Sequence, residues 1–135
     1  MHMVSQDKIK RNKDSGSPLM RYRKSFFNAL NGIKYVFINE HNIPIILIAA
    51  IFTITIGILF NISTYEWLFC IFSIGAVTAS EMINSAIEAV VDLVTFEKHP
   101  LAKIAKDSAA AATLIFSITA FVGALLIFIP KIISI

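Results

Sequence analysis

Two long stretches of this sequence contain no charged residue, and they constrain the fold more than any other feature. They cover residues 43–60 and 108–129. A bilayer core about 30 Å thick is crossed by a helix of about 20 apolar residues, and in lipid the backbone groups must bond within the helix. Each stretch therefore predicts a membrane-spanning helix. A hydrophobic content of 56% and a mean hydropathy of +0.73 exclude an ordinary water-soluble domain.

A third apolar segment, residues 65–94, is longer and carries polar residues near its end. Residues 20–39 place apolar side chains at steps of three and four among basic ones, which predicts an amphipathic helix in the membrane interface. Residues 1–19 are polar and basic without an apolar period, so a disordered tail is expected there. The predicted fold is all-α: a surface helix and three transmembrane helices, within one domain over residues 20–135. Pro130 is expected to end the last span.

The basic residues are distributed unevenly between the two sides of this predicted arrangement. Of the 12 Lys and Arg residues, only Lys131 follows the third span, and the others lie in the N-terminal region or between the second and third spans. Positively charged loops stay in the cytoplasm. We therefore expect a membrane protein with a cytoplasmic N-terminus.

Residues 81–92 read E-M-I-N-S-A-I-E-A-V-V-D and place a polar stripe on an apolar helix. At 100° per residue, five side chains fall within about 60° of one line: Glu81, Asn84, Ser85, Glu88 and Asp92. An ionisable group at membrane depth costs about 2.5–3.5 kcal/mol, so a stripe with three carboxylates predicts function rather than interhelical hydrogen bonding alone.

The depth of the stripe suggests what meets there. If Trp67 lies at the outer interface, Glu81 is about 21 Å further along the helix and Glu88 about 31 Å. Glu81 would then lie just inside the hydrocarbon, and Glu88 and Asp92 at the level of the headgroups. A lipid hydroxyl and a water-soluble nucleotide could meet between these two levels.

The segment that follows, H-P-L-A-K-I-A-K-D, brings Lys103, Lys106 and Asp107 onto one helical face. Lysine pairs with phosphate, and carboxylate oxygens are the ligands that Mg²⁺ requires. The sequence contains no G-x-x-x-x-G-K-[ST] or G-x-G-x-x-G motif, so side chains and metal would have to hold nucleotide phosphates. The single cysteine, Cys70, is expected to pack in the apolar interior.

A cation pathway would also place carboxylates inside a membrane. The sequence has none of the inverted repeats found in many transporters, which disfavours that alternative. A purely structural membrane subunit is disfavoured by the cost of the stripe.

The stripe and the segment after it closely resemble the signature of the bacterial integral-membrane diacylglycerol kinase family. The resemblance covers about residues 21–130 and includes E-x-N at 40–42. E-W-L at 66–68, F-I-P-K-I at 128–132 and H-P-L-A-K at 99–103 look like the Gram-positive branch, whose members are undecaprenol kinases.

The resemblance implies a homotrimer that transfers the ATP γ-phosphoryl group to a lipid alcohol with Mg²⁺. The expected acceptor is undecaprenol, with diacylglycerol as the alternative. Glu81 matches the family's general base, and Glu40 and Glu88 match its metal-binding carboxylates. The remaining matched positions, near the nucleotide and its phosphates, are Arg21, Asn84, Asp92, Lys106 and Asp107. These roles favour direct in-line transfer over a phosphoenzyme.

Overall fold

The computed structural model describes residues 17–95 and 97–134 and is helical throughout apart from short connections. Its helices are α1 (Pro18–Asn39), α2 (Ile43–Leu59), α3 (Thr64–Val94) and α4 (Pro100–Ile133). The chain divides into a first unit that ends at Tyr35 and a second that begins at Val36. The all-α prediction is confirmed.

In the first unit, α1 exposes apolar side chains beside basic ones. Phe26 and Leu30 are both exposed, and the guanidinium of Arg23 lies 5.8 Å from the ring centre of Phe27. The helix begins at Pro18, two residues before the predicted start, because proline is favoured in a first helical turn. The predicted tail therefore ends earlier than residue 19, and its first sixteen residues lie outside the described part. Placement of α1 in the membrane interface stays a prediction.

Two to three helices qualify as membrane spans by length and composition. Helices α3 and α4 each do so alone, whereas α2, with 17 residues, does so only when it is counted together with α1. The predicted spans 43–60 and 65–94 each differ from α2 and α3 by one residue at one end. Three spans remain compatible with these helices.

Helix α4 extends beyond the predicted span 108–129 in both directions. It begins at Pro100, so the basic segment after α3 is part of it, and the prediction that Pro130 ends it is wrong. Proline removes one backbone bond, but the helix continues to Ile133, with the Ser134 N–H donating to the Pro130 carbonyl at 3.2 Å. An ion pair of 3.3 Å between Lys131 Nζ and Glu66 also ties this last part of α4 to α3.

Helix α3 packs against both α4 and α2. A cluster of buried apolar side chains, Ile62, Cys70 and Phe128, joins the three helices, and the ring of Phe60 lies 6.5 Å from that of Phe128. Cys70 is buried and not in a disulfide, which confirms its predicted packing role.

Two glycines allow the helices to approach closely at this end of the bundle. A Cβ at Gly57 would lie 2.8 Å from Cη2 of Trp67, and a Cβ at Gly123 would overlap the ring of Phe69. At 1.5 Å per residue, Phe69 is about 18 Å along α3 from Glu81. Aromatic rings seated on glycines therefore set the packing far from the polar stripe.

The turn between α2 and α3 is fixed by local chemistry. Asn61 adopts a left-handed φ of 46°, which asparagine tolerates better than most residues. Ser63 then caps α3 in a capping box, accepting from the Glu66 N–H at 3.4 Å while its own N–H donates to Glu66 Oε2 at 2.6 Å.

Candidate active site

The polar stripe of α3 is buried at its start and becomes exposed along the helix. Glu81 is 1% exposed and Asn84 is 6% exposed, whereas Glu88 is half-buried and Asp92 is exposed. The exposure of the stripe increases from the apolar bundle toward the end of α3, for which the charge distribution predicts a cytoplasmic location. A buried carboxylate that leads into exposed carboxylates is the arrangement expected where a membrane-embedded group and a water-soluble one meet.

The buried serines of α3 have structural partners. Ser85 Oγ donates to the Glu81 carbonyl at 3.0 Å, and Ser80 Oγ donates to the Val77 carbonyl at 2.8 Å. Such bonds to the preceding turn satisfy a hydroxyl inside a helix. Ser85, which belongs to the stripe, therefore has its hydroxyl donor occupied within its own helix.

Glu81 is held from a different helix. Asn42 Nδ2, at the start of α2, donates to Glu81 Oε1 at 2.7 Å. The other carboxylate oxygen, Oε2, is buried and has no hydrogen-bond partner within the part of the chain that the structure describes. One oxygen of Glu81 is therefore fixed, and the second is available to a ligand.

A cavity of about 280 Å³ adjoins these groups. Its polar lining comes from three helices: Asn42, Glu81, Asn84, Thr113 and Ser117. Asn84 Oδ1 and Thr113 Oγ1 are, like Glu81 Oε2, buried without a partner among the described residues. Unsatisfied buried polar atoms are uncommon, and three around one cavity indicate a site that binds a polar group.

A second, apolar cavity of about 580 Å³ lies between α2, α3 and α4. Ile45, Ile46 and Ser117 line both cavities, so the apolar space adjoins the polar one. It reaches Phe128 and Phe69 near the opposite end of the bundle. An amphipathic molecule could therefore place its polar group in the first cavity and its apolar chain in the second.

The more exposed part of the stripe carries paired groups. Asn84 Nδ2 donates to Glu88 Oε1 at 3.1 Å. Lys106 Nζ, on α4, contacts Asp92 Oδ1 on α3 at 2.6 Å, and both side chains remain partly exposed. This pair joins a predicted phosphate-binding lysine to a predicted nucleotide-binding carboxylate.

The structure brings some of the predicted site residues together and leaves others apart. Glu81 and Asn84 line one cavity, and Asn84 bonds to Glu88. Asp107 instead forms an ion pair with Lys103, one turn earlier on α4, with 3.2 Å between Oδ2 and Nζ. Glu40 is half-buried just before α2, and Arg21 belongs to the first unit, where it is exposed.

The described residues, 17–95 and 97–134, contain no group of three His, Cys, Asp or Glu side chains placed to hold a metal ion. Mg²⁺ commonly binds through one or two protein carboxylates together with substrate phosphates, rather than in a cage made of protein alone. The sequence predicts this role for Glu88, which is half-buried and accepts a hydrogen bond from Asn84. The donor set therefore fits a magnesium ion that arrives with a nucleotide.

Sequence reasoning missed three polar residues of the cavity, Asn42, Thr113 and Ser117. Asn42 was noted only as part of E-x-N, and its contact with Glu81 joins residues 39 positions apart. Thr113 follows a run of four alanines, and a polar residue inside that otherwise apolar span was the available signal. Helical periodicity predicts neither the contact between Asn42 and Glu81 nor the position of Thr113 at the cavity.

Comparison with known proteins gives one family. The sequence profile described as prokaryotic diacylglycerol kinase matches residues 27–128. The chain is 40% identical over 119 residues to undecaprenol kinase of Bacillus subtilis, covering 88% of this chain and 97% of that protein. It is 39% identical over 95 residues to diacylglycerol kinase of Helicobacter pylori, covering 70% and 74%. With diacylglycerol kinase of Escherichia coli K12 it shares 34% identity over 91 residues, covering 67% and 75%.

Proposed function

This chain is a lipid kinase that belongs to the prokaryotic diacylglycerol kinase family, and from that premise we propose that it transfers the γ-phosphoryl group of ATP to undecaprenol. The product would be undecaprenyl phosphate. The observation that carries the proposal is the polar cavity, where a buried carboxylate with one unpartnered oxygen adjoins a larger apolar space. The enzyme would act at the cytoplasmic face of a bacterial membrane.

Similarity supports undecaprenol as the acceptor. The undecaprenol kinase matches this chain over nearly its whole length, whereas the diacylglycerol kinases of H. pylori and E. coli K12 match over shorter segments. Two features typical of the Gram-positive branch, E-W-L and F-I-P-K-I, also meet in space, because Glu66 pairs with Lys131. Diacylglycerol remains the second candidate, since relatives of the same family are named diacylglycerol kinases.

In the proposed mechanism, Glu81 is the general base. Its Oε2 would accept the proton of the lipid hydroxyl while the hydroxyl oxygen attacks the γ-phosphorus in line, and the bond to the leaving ADP breaks. The unpartnered, buried state of Oε2 supports this role. No covalent phosphoenzyme is required.

Nucleotide and metal would bind along the more exposed part of the stripe. Glu88 and Glu40 are proposed as magnesium ligands, and the ion would supply charge neutralisation at the β- and γ-phosphates. Lys106 is proposed to contact phosphate, and its pairing with Asp92 shows that it reaches the α3 face. Further nucleotide contacts are proposed for three other residues: Arg21, Asn84 and Asp107.

We also propose a homotrimer of three-span protomers, with α1 as the surface helix. Large apolar side chains are exposed along α2, α3 and α4, for example Ile48, Phe72 and Phe121. Such surfaces are stable against lipid or against further copies of the chain. The trimer itself rests on family membership.

The test is phosphorylation by purified protein in micelles that contain equal mole fractions of undecaprenol or diacylglycerol, with ³²P-labelled ATP and Mg²⁺. Thin-layer separation of the labelled lipids then gives kcat/KM for each acceptor. We expect undecaprenol to have the higher value. A higher value for diacylglycerol would overturn the substrate assignment while leaving the lipid kinase activity intact.

A further inference from the structure

Asn42 lies at a helix N-terminus, but its side chain does not form the capping hydrogen bond that is usual there. It is the N-cap residue of α2, and asparagine is favoured there because its side chain accepts from an N–H of the first turn. Here, in the described part of the chain, the side chain forms no capping bond. Pro44, in the first turn, has no N–H to offer. The Asn42 carbonyl still accepts the first helical bond, from the Ile46 N–H at 3.1 Å.

The side-chain amide is directed at Glu81 instead. Its Nδ2 lies 2.7 Å from Oε1 of a carboxylate that is 1% exposed. A carboxylate can only accept, so the amide donates, and hydrogen bonds to an ionised group are the stronger kind. The bond holds Oε1 and leaves Oε2 as the oxygen without a partner among the described residues.

We propose that Asn42 is a positioning residue that orients Glu81 for proton abstraction, an inference that rests on the proposed function. With Oε1 held by the amide, the proton of the lipid hydroxyl passes to Oε2. At the same time the hydroxyl oxygen bonds to the γ-phosphorus, and the bond to the leaving ADP breaks. Asn42 itself exchanges no proton and touches no reacting atom.

The packing of α2 on α3 does not depend on this bond alone. Trp67 is seated on Gly57 near the other end of α2, and Ile62 joins the buried cluster there. Loss of the Asn42 amide should therefore leave the fold in place. The contact can be tested by its effect on turnover.

The experiment compares Asn42→Leu, Asn42→Ala and Asn42→Gln. Leucine keeps a branched side chain but removes the donor, and glutamine keeps an amide donor on a longer side chain. Because the lost hydrogen bond is one to a carboxylate, we expect the leucine and alanine variants to lose about 10-fold or more in kcat. KM for Mg-ATP should stay near the wild-type value, and glutamine should recover part of the loss. Thr55→Val is the matched control on α2, since its hydroxyl bonds only to the Ile51 carbonyl among the described contacts.

A double-mutant cycle separates positioning from a structural role. In a Glu81→Gln background, Asn42→Ala should cause no further loss of kcat, because the base it orients is already gone. An equal, additive loss in both backgrounds would overturn the proposal, as would wild-type kcat in Asn42→Leu. Failure of wild-type protein to phosphorylate any lipid alcohol would instead refute the proposed function, so the two failures are distinguishable.

Discussion

Replacing Glu81 with glutamine is the most direct test of the proposed chemistry. Glutamine has the same length, and its carbonyl can still accept from Asn42 Nδ2, which lies 2.7 Å from Oε1 in the native protein. The second oxygen becomes an NH₂ group, so the proton acceptor is lost while the shape is kept. Loss of a general base lowers the rate by about 10²–10⁴-fold, which is about 3–5 kcal/mol of activation free energy.

Nucleotide affinity should be almost unchanged in this variant. Glu88 lies seven residues further along α3, about 10 Å along the helix axis, which is too far for both carboxylates to bind one Mg²⁺ directly. The assays are single-turnover phosphorylation at saturating Mg-ATP and calorimetric titration of Mg-ATP. Glu97→Gln is a matched control, because it makes the same change at an exposed position in the connection before α4.

Two results would refute the assignment. One is a Glu81→Gln variant that keeps more than about a tenth of wild-type turnover, since general-base loss costs at least about 10²-fold. The other is a loss confined to Mg-ATP affinity. In either case the base would be a different carboxylate, and Asp92 and Asp107 would be tested next.

Three further predictions concern metal, lipid and packing. Activity should require Mg²⁺, and Glu88→Gln should weaken Mg-ATP binding in calorimetry; wild-type affinity would contradict the metal role. Thr113→Val should raise the lipid KM yet stabilise the fold by about 1 kcal/mol, because its buried hydroxyl has no partner in the described residues. In detergent-unfolding titrations, Gly123→Ala should destabilise the protein by about 1–3 kcal/mol, since the new methyl overlaps Phe69. In Gly75→Ala the added Cβ would have no described atom within 4 Å, so this substitution should instead stabilise the protein by up to about 1 kcal/mol.

The helices and the polar stripe were predictable because they follow from local patterns. The uncharged runs predicted α2 and most of α4. The 100° repeat predicted that Glu81 and Asn84 share one helix face, and both are buried. The same repeat placed Lys103 and Asp107 together, and they form an ion pair within α4. Such features depend only on residues a few positions apart.

The contacts between helices were not predictable in the same way. The Asn42 to Glu81 bond depends on how α2 packs on α3, and a hydrophobic pattern gives a helix face but not its register against a neighbour. The expected break at Pro130 failed for a related reason. Local propensity disfavours proline inside a helix, but the contact of Lys131 with Glu66 supports the final part of α4 from outside it.

The shortness of α2 has a consequence for the surrounding lipid. Its 17 residues span only about 26 Å, whereas the 34 residues of α4 span about 51 Å. In a three-span arrangement the length of α2 is less than a bilayer core of about 30 Å, and thinning of the bilayer beside α2 is one response to such a mismatch. The thinning would bring aqueous solvent closer to the start of α2, so turnover should depend on acyl-chain length through hydrophobic mismatch. Membrane thickness would then change the turnover of this enzyme independently of the substrate concentration.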